Sequence, residues 1–168
     1  GTIDSVVDML DTLLPEGDLV SATYHDGHTE VLGTSDADEV NLPMVVITNE
    51  NTASAAELFA QAIKDYNKGR TVGTQTYGKG VMQTIYPLSD GGALAKYNPP
   101  KSENFDGVGV KPDYAVQLTA EQQRNFYELD EETDPQLKKA LELAEAVIKT
   151  GGFDGLSEIP ESSSEEET

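Results

Sequence analysis

The chain has 168 residues, 37% of them hydrophobic, with 31 acidic side chains against 11 basic ones and a formal net charge of −20. That length holds one domain with a sizeable core, and the charge excludes a surface for DNA, RNA or anionic membrane, which needs clustered lysine and arginine. With no cysteine in the sequence, disulfides, thiol nucleophiles and cysteine-based zinc sites are excluded as well.

The opening GTIDSVVDML lacks the pattern of a signal peptide, and no later segment is apolar enough to span a bilayer. Ser5 to Leu14 spaces Val6, Met9, Leu10, Leu13 and Leu14 along one helical face, stopped by Pro15-Glu16-Gly17. LVSATY and TEVLGT flank His25-Asp26-Gly27-His28 and read as a hairpin whose turn lies at Asp-Gly. PMVVITNE is an apolar run of strand length, consistent with a strand buried on both faces. A helix follows over SAAELFAQAIKDYNKG, with a stripe of Ala55, Leu58, Phe59, Ala62, Ile63 and Tyr66 and a stop at Gly69. RTVGT and GVMQTIYPL read as two further strands, and GVGVKPDYAVQL as a partly extended segment punctuated by glycine and proline. Thr119 caps one short helix, and Asp134-Pro135 opens another that runs to about Thr150 before Gly151-Gly152. The closing SEIPESSSEEET is acidic and has almost nothing to bury, which reads as a disordered tail. No internal repeat is present. The sum is a mixed α/β chain with a helical C-terminal appendage.

Gly73, Gly78 and Lys79 in TVGTQTYGKG match the phosphate-loop spacing G-x-x-x-x-G-K. That motif requires a preceding strand, a following helix whose N-terminus holds the phosphates, and a Ser or Thr after the lysine for magnesium. Here Gly80 follows Lys79, and VMQTIYPL is β-branched, aromatic and closed by proline. Two of the three requirements fail, and the plain alternative is a solvated lysine in a glycine turn.

Ser54 stands where the helix after PMVVITNE begins. It is a favoured N-cap, and Glu57 completes a capping-box pattern. The same position suits chemistry, because a helix N-terminus offers unpaired N–H groups and a positive dipole end to a developing oxyanion. A serine becomes a nucleophile only when a base takes its proton. Both histidines sit in the hairpin turn, which leaves a lysine as the candidate base. That role requires burial to lower an ammonium from ~10.4 towards ~7, a condition open to a glycine-flanked lysine that enters a buried strand.

NENTASAAEL, VGTQTYGKGVMQTIYPLSDGGAL and GVGVKPD, in that order and at those separations, resemble the carboxyl-terminal processing peptidases, or tail-specific proteases, an S41-type family with a Ser/Lys catalytic dyad. The resemblance spans Gly1 to Asp113. It implies that Ser54 is the nucleophile, that Lys79 is the general base, and that Gln83 supports Lys79. It implies an oxyanion hole from the backbone N–H of Ala55 and from a Gly-Gly pair of which Gly1 is the last residue. It further implies a ClpP/crotonase-like spiral core, acyl-transfer chemistry without metal or organic cofactor, and protein or peptide substrates cut near apolar C-termini. An extracytoplasmic location, periplasmic or membrane-anchored, also follows from the resemblance alone.

Two departures from the family pattern shape the expectations. The PDZ domain and N-terminal segment that normally precede this region are not in the sequence, so residues 1–118 read as a peptidase core fragment, 119–152 as C-terminal helices and 153–168 as the tail. In DGGALAKYNPP, Leu94 runs straight into Ala95 where the family continues its strand, so residues are expected to be missing there. Three readings stand: a serine endopeptidase, a catalytically silent peptide-binding or assembly module of the same fold, and a nucleotide-binding domain.

Overall fold

The computed structural model describes residues 1–84 and 93–153, except the side chains of 82–84 and 93–94. Helix α1 spans Ile3–Leu13 and starts earlier than the apolar spacing alone suggests, because the Thr2 hydroxyl accepts the Ser5 N–H at 3.3 Å. It buries Val6 and Leu10, while Met9, expected on the same face, is 54% exposed. Strands β1 (Gly17–Thr23) and β2 (Thr29–Ser35) form the expected antiparallel hairpin. Its turn closes through Gly27 N–H to the Tyr24 carbonyl at 2.9 Å and His28 N–H to Asp26 Oδ1 at 2.9 Å. Both histidines are exposed there.

Strand β3 (Met44–Thr48), helix α2 (Ala55–Asp65) and strand β4 (Gly69–Gly73) make a βαβ unit in which β3 and β4 pair in parallel. Helix α2 ends before Gly69. Asn67 takes the left-handed position at φ +53, with Asn67 N–H on the Lys64 carbonyl at 2.8 Å and Lys68 N–H on the Ile63 carbonyl at 3.0 Å, the Schellman pattern. Strands β5 (Val81–Thr84) and β6 (Ala93–Asn98) pair antiparallel, and β7 (Tyr114–Ala115) adds in parallel to β4. Two sheets result among the described residues, β2-β1-β6-β5 and β3-β4-β7.

The strand expected over GVMQTIYPL is present as far as Thr84, and its remainder lies outside the described residues. Successive pairs Met82–Ala95 and Gln83–Leu94 step one residue at a time, so β6 keeps one register through Leu94 and Ala95. Helices α3 (Ala120–Arg124) and α4 (Pro135–Thr150) carry the predicted caps Thr119 and Asp134, with a 3₁₀ turn over Phe126–Glu128 between them. The tail from 154 onward lies outside the described residues. Phe153, expected to begin that tail, is buried, with the Arg70 guanidinium 4.7 Å from its ring centre.

The main core joins α1, α2 and β1 through Leu10, Leu14, Leu19, Val20, Leu58 and Ile63, with Met44 and Val46 of β3 packed against it. A second cluster on the opposite face of the parallel sheet joins Val72, Ala140 and Leu143 to Val45, Tyr114 and Val116. Helix α4 therefore covers the sheet face that α2 leaves bare. β3 is nevertheless not the fully buried strand its sequence suggests. It lies at the end of the three-stranded sheet, its residues are mostly half-buried, and Ile47 is 42% exposed. The central strand is β4, where Thr71 and Val72 are fully buried.

Candidate active site

The chain leaves β3 at Thr48 and turns through Asn49–Thr52, where Thr52 N–H reaches the Asn49 carbonyl at 2.9 Å and Asn49 N–H the Thr52 hydroxyl at 3.1 Å. Ser54 then sits at the head of α2 with φ +62 and ψ −125. A side chain other than glycine's rarely adopts that conformation, which costs on the order of 1–3 kcal/mol. The capping-box pairing of Ser54 with Glu57 is present, and its carboxylate half is a 2.8 Å bond from Ser54 N–H to Glu57 Oε2. The Glu57 N–H also points at the Ser54 carbonyl at 2.8 Å.

Glu57 does more than cap. Its side chain is fully buried, and it gathers donors from the loop that carries Lys79. Oε1 accepts from the Thr76 hydroxyl at 2.5 Å and from Gly78 N–H at 2.6 Å, while Oε2 accepts Lys79 N–H at 2.8 Å beside that of Ser54. One carboxylate oxygen thus holds the backbone of both Ser54 and Lys79. A buried carboxylate is tolerable only with such donors, since without them its loss of water is unreturned. The loop is tied a second time by Tyr77 N–H to the Thr52 carbonyl at 3.0 Å, two residues before Ser54.

From the far side the loop rests on residues 104–109. Gly107 N–H reaches the Gly78 carbonyl at 2.9 Å, Gly80 N–H reaches Asp106 Oδ1 at 3.2 Å, and Asn104 Nδ2 donates to the Gly80 carbonyl at 2.9 Å. This packing explains the glycines around the lysine. Gly78 lies at φ +90, and a Cβ there would fall 2.9 Å from Gly109 N. A Cβ on Gly80 would fall 2.7 Å from Asp106 N. The chain then enters strand β5, not a helix, so Gly73, Gly78 and Lys79 do not form a phosphate loop and the nucleotide reading is withdrawn. The burial expected for Lys79 is not found either: only its backbone is enclosed, and its side chain is exposed.

Tyr97 of β6 closes the arrangement. Its side chain is 1% exposed, its hydroxyl donates to the Lys79 carbonyl, and its ring meets Phe105 edge-on with centroids 5.7 Å apart. Burial pushes the Tyr97 phenol above its usual range; a side-chain hydrogen bond with Ser54 pulls the other way, and the charges of Glu57 and Asp106 add to the rise. Gly1 lies against the start of α2, where a Cβ on it would sit 3.7 Å from Ala55 Cβ. Ala55 is the first residue of α2, and its N–H is one of those a helix's first turn leaves without an intrahelical acceptor. The backbone of Gln83 is in β5, and its side chain lies outside the described residues.

The backbones of Ser54 and Lys79 thus meet at one Glu57 oxygen, with Ser54 and Ala55 at a helix terminus, Lys79 on a loop fastened to it and Gly1 against Ala55. The long-range duties of Glu57 and Tyr97 escape a reading of the sequence. Ser-x-x-Glu marks Glu57 as a cap only, and Tyr97 carries no local signal beyond the apolar character of its strand.

Strand, strained serine, helix and pinned Gly-Lys-Gly loop form one α/β unit. The model of the family described as "Peptidase family S41" matches residues 1–116, and the chain belongs to that family. It is 31% identical over 147 residues to a carboxyl-terminal-processing protease of Synechocystis, covering 85% of this chain and 34% of that protein. It is 33% identical over 132 residues to a probable CtpA-like serine protease of Staphylococcus aureus, covering 74% of this chain and 27% of that one. Among solved structures, the photosystem II D1 C-terminal processing protease superposes with a TM-score of 0.61 at 33% identity, over 70% of this chain and 32% of that one. A putative peptidase of Parabacteroides merdae, at 18% identity and a TM-score of 0.59, shares the fold over 94% of this chain and 51% of its own. The fold is that of the S41 peptidases, in keeping with the ClpP/crotonase-like core. The chain spans about a third of the length of the curated relatives it matches. Among the described residues no helix is long and apolar enough to cross a membrane.

Proposed function

We propose that this chain carries the Ser/Lys centre of a serine endopeptidase that cuts protein substrates near apolar C-termini. Neutral Lys79 takes the proton of Ser54 Oγ as that oxygen attacks the scissile carbonyl. The tetrahedral oxyanion is met by the backbone N–H groups of Ala55 and Gly1. Collapse expels the amine, which takes up the proton held by Lys79, and leaves an acyl-enzyme on Ser54 that water releases with Lys79 again as base. Gln83 supports the Lys79 side chain. The observation that supports this reading best is the shared Glu57 oxygen, 2.8 Å from the Ser54 N–H and 2.8 Å from the Lys79 N–H.

A lysine is a base only when neutral, and loss of water favours that form. Because Lys79 is exposed in this chain, the substrate strand, or segments such as the PDZ domain in the longer protein, must cover it during turnover. We place that protein outside the cytoplasm on the strength of its family. The exposure of Lys79 is also what favours the second reading, a silent peptide-binding or assembly module. Cleavage assays on the native-length protein separate the two. Ser54→Ala and Lys79→Ala should each lower kcat at least about 100-fold, whereas a silent module has no activity for either change to remove.

A further inference from the structure

We propose that Tyr97 is a positioning residue for the Ser54–Lys79 pair, its buried hydroxyl holding the Lys79 carbonyl and so fixing the backbone of the base beside Ser54. The inference rests on the peptidase reading above. A phenol has one proton to give and lone pairs to receive. The Tyr97 proton goes to the Lys79 carbonyl. Tyr97 therefore holds the Lys79 peptide unit in one orientation before substrate arrives. When attack begins, the Ser54 proton moves to Lys79 Nζ; Tyr97 neither gains nor loses a proton.

The backbone of the same residue reinforces this role. Tyr97 N–H reaches the Gly80 carbonyl at 3.3 Å, and Asn104 Nδ2 bridges the carbonyls of Gly80 and Tyr97 at 2.9 and 2.6 Å. Lys79 is consequently held at both ends of its own peptide units, by Glu57 at N–H and by Tyr97 at C=O. Because the phenol is buried and packed on Phe105, its oxygen is fixed to the scale on which misplacement of a reacting group matters; errors of about 1 Å cost on the order of 100-fold.

The test uses the native-length protein and the variants Tyr97→Phe, Ser54→Ala and Lys79→Ala. Reactive serines are counted by fluorophosphonate labelling so that kcat refers to folded, competent sites. Tyr97→Phe should lower kcat per reactive serine by about 10- to 100-fold with KM within about twofold. An unchanged kcat per site, or a loss explained by fewer sites alone, overturns the proposal while leaving the peptidase reading intact. Undiminished cleavage by Ser54→Ala or Lys79→Ala overturns the peptidase reading itself. Should Tyr97→Phe not fold, Asn104→Ala decides instead, with Tyr97 in place but its carbonyl and that of Gly80 no longer bridged. It should lower kcat per reactive serine in the same direction, and an unchanged value overturns the proposal.

Discussion

At Ser54 the backbone works against the side chain. Its φ of +62 with ψ of −125 lies where glycine alone is comfortable, and the strain is sustained by Ser54 N–H on Glu57 and by Thr52 held to Tyr77. Strain kept at a reactive position is a known use of a well-tied scaffold. Ser54→Gly and Ser54→Ala both remove the hydroxyl, but only glycine releases the strain. Ser54→Gly should therefore exceed Ser54→Ala in stability by about 1–2 kcal/mol, measured by urea denaturation, although glycine costs more chain entropy elsewhere. The sequence makes Ser54 visible as a residue at a helix start. It does not make its backbone angle visible, since that angle is imposed by groups remote in the chain.

Between elements, what matters is how helix α2 is tied to the loop before β5. Four donors converge on Glu57, from Ser54 beside it and from Thr76, Gly78 and Lys79 across the loop. Glu57→Gln keeps the size but replaces one accepting oxygen with an NH₂ that must face two donors. It should cost about 2–4 kcal/mol through donors left unpaired and speed hydrogen exchange at the amides of Gly78 and Lys79 while that of core Val72 follows global unfolding. Elements set by local chemistry were legible: the Asp-Gly hairpin, the Thr119 and Asp134 caps, and the strand after Lys79 that denies it a phosphate. Those set by partners were not. PMVVIT reads as a buried strand because its residues are apolar, yet its place at the sheet end is decided by which strands pair with it. Gly69 reads as the helix stop, yet Asn67 takes that turn, and Gly69 serves instead as the first residue of β4. Lys79 reads as entering a buried strand, yet only its backbone is buried.

Across the molecule, the parallel sheet is enclosed by α2 on one face and α4 on the other, although the family match ends at residue 116. Helix α4 is thus part of the packing that holds β3 and β4, and with them the loops bearing Ser54 and Lys79. Leu143 is fully buried against Val72 in that second cluster. Leu143→Ala should cost about 2–5 kcal/mol and should appear as a downward shift of one cooperative transition in calorimetry. A separate early transition for α4 alone would show that it does not support the sheet. With a net charge of −20 the chain is also self-repelling, so such comparisons belong at one fixed ionic strength.

The central claim is that Ser54 becomes acylated with Lys79 as its base. Mixing the native-length protein with an activated peptide ester, quenching in acid within the first turnover and mapping the adduct by mass spectrometry tests it most directly. An acyl group is expected on Ser54, absent in Ser54→Ala and formed at least about 100-fold more slowly in Lys79→Ala. An adduct on another residue, or acylation of Ser54 at full rate without Lys79, would contradict it.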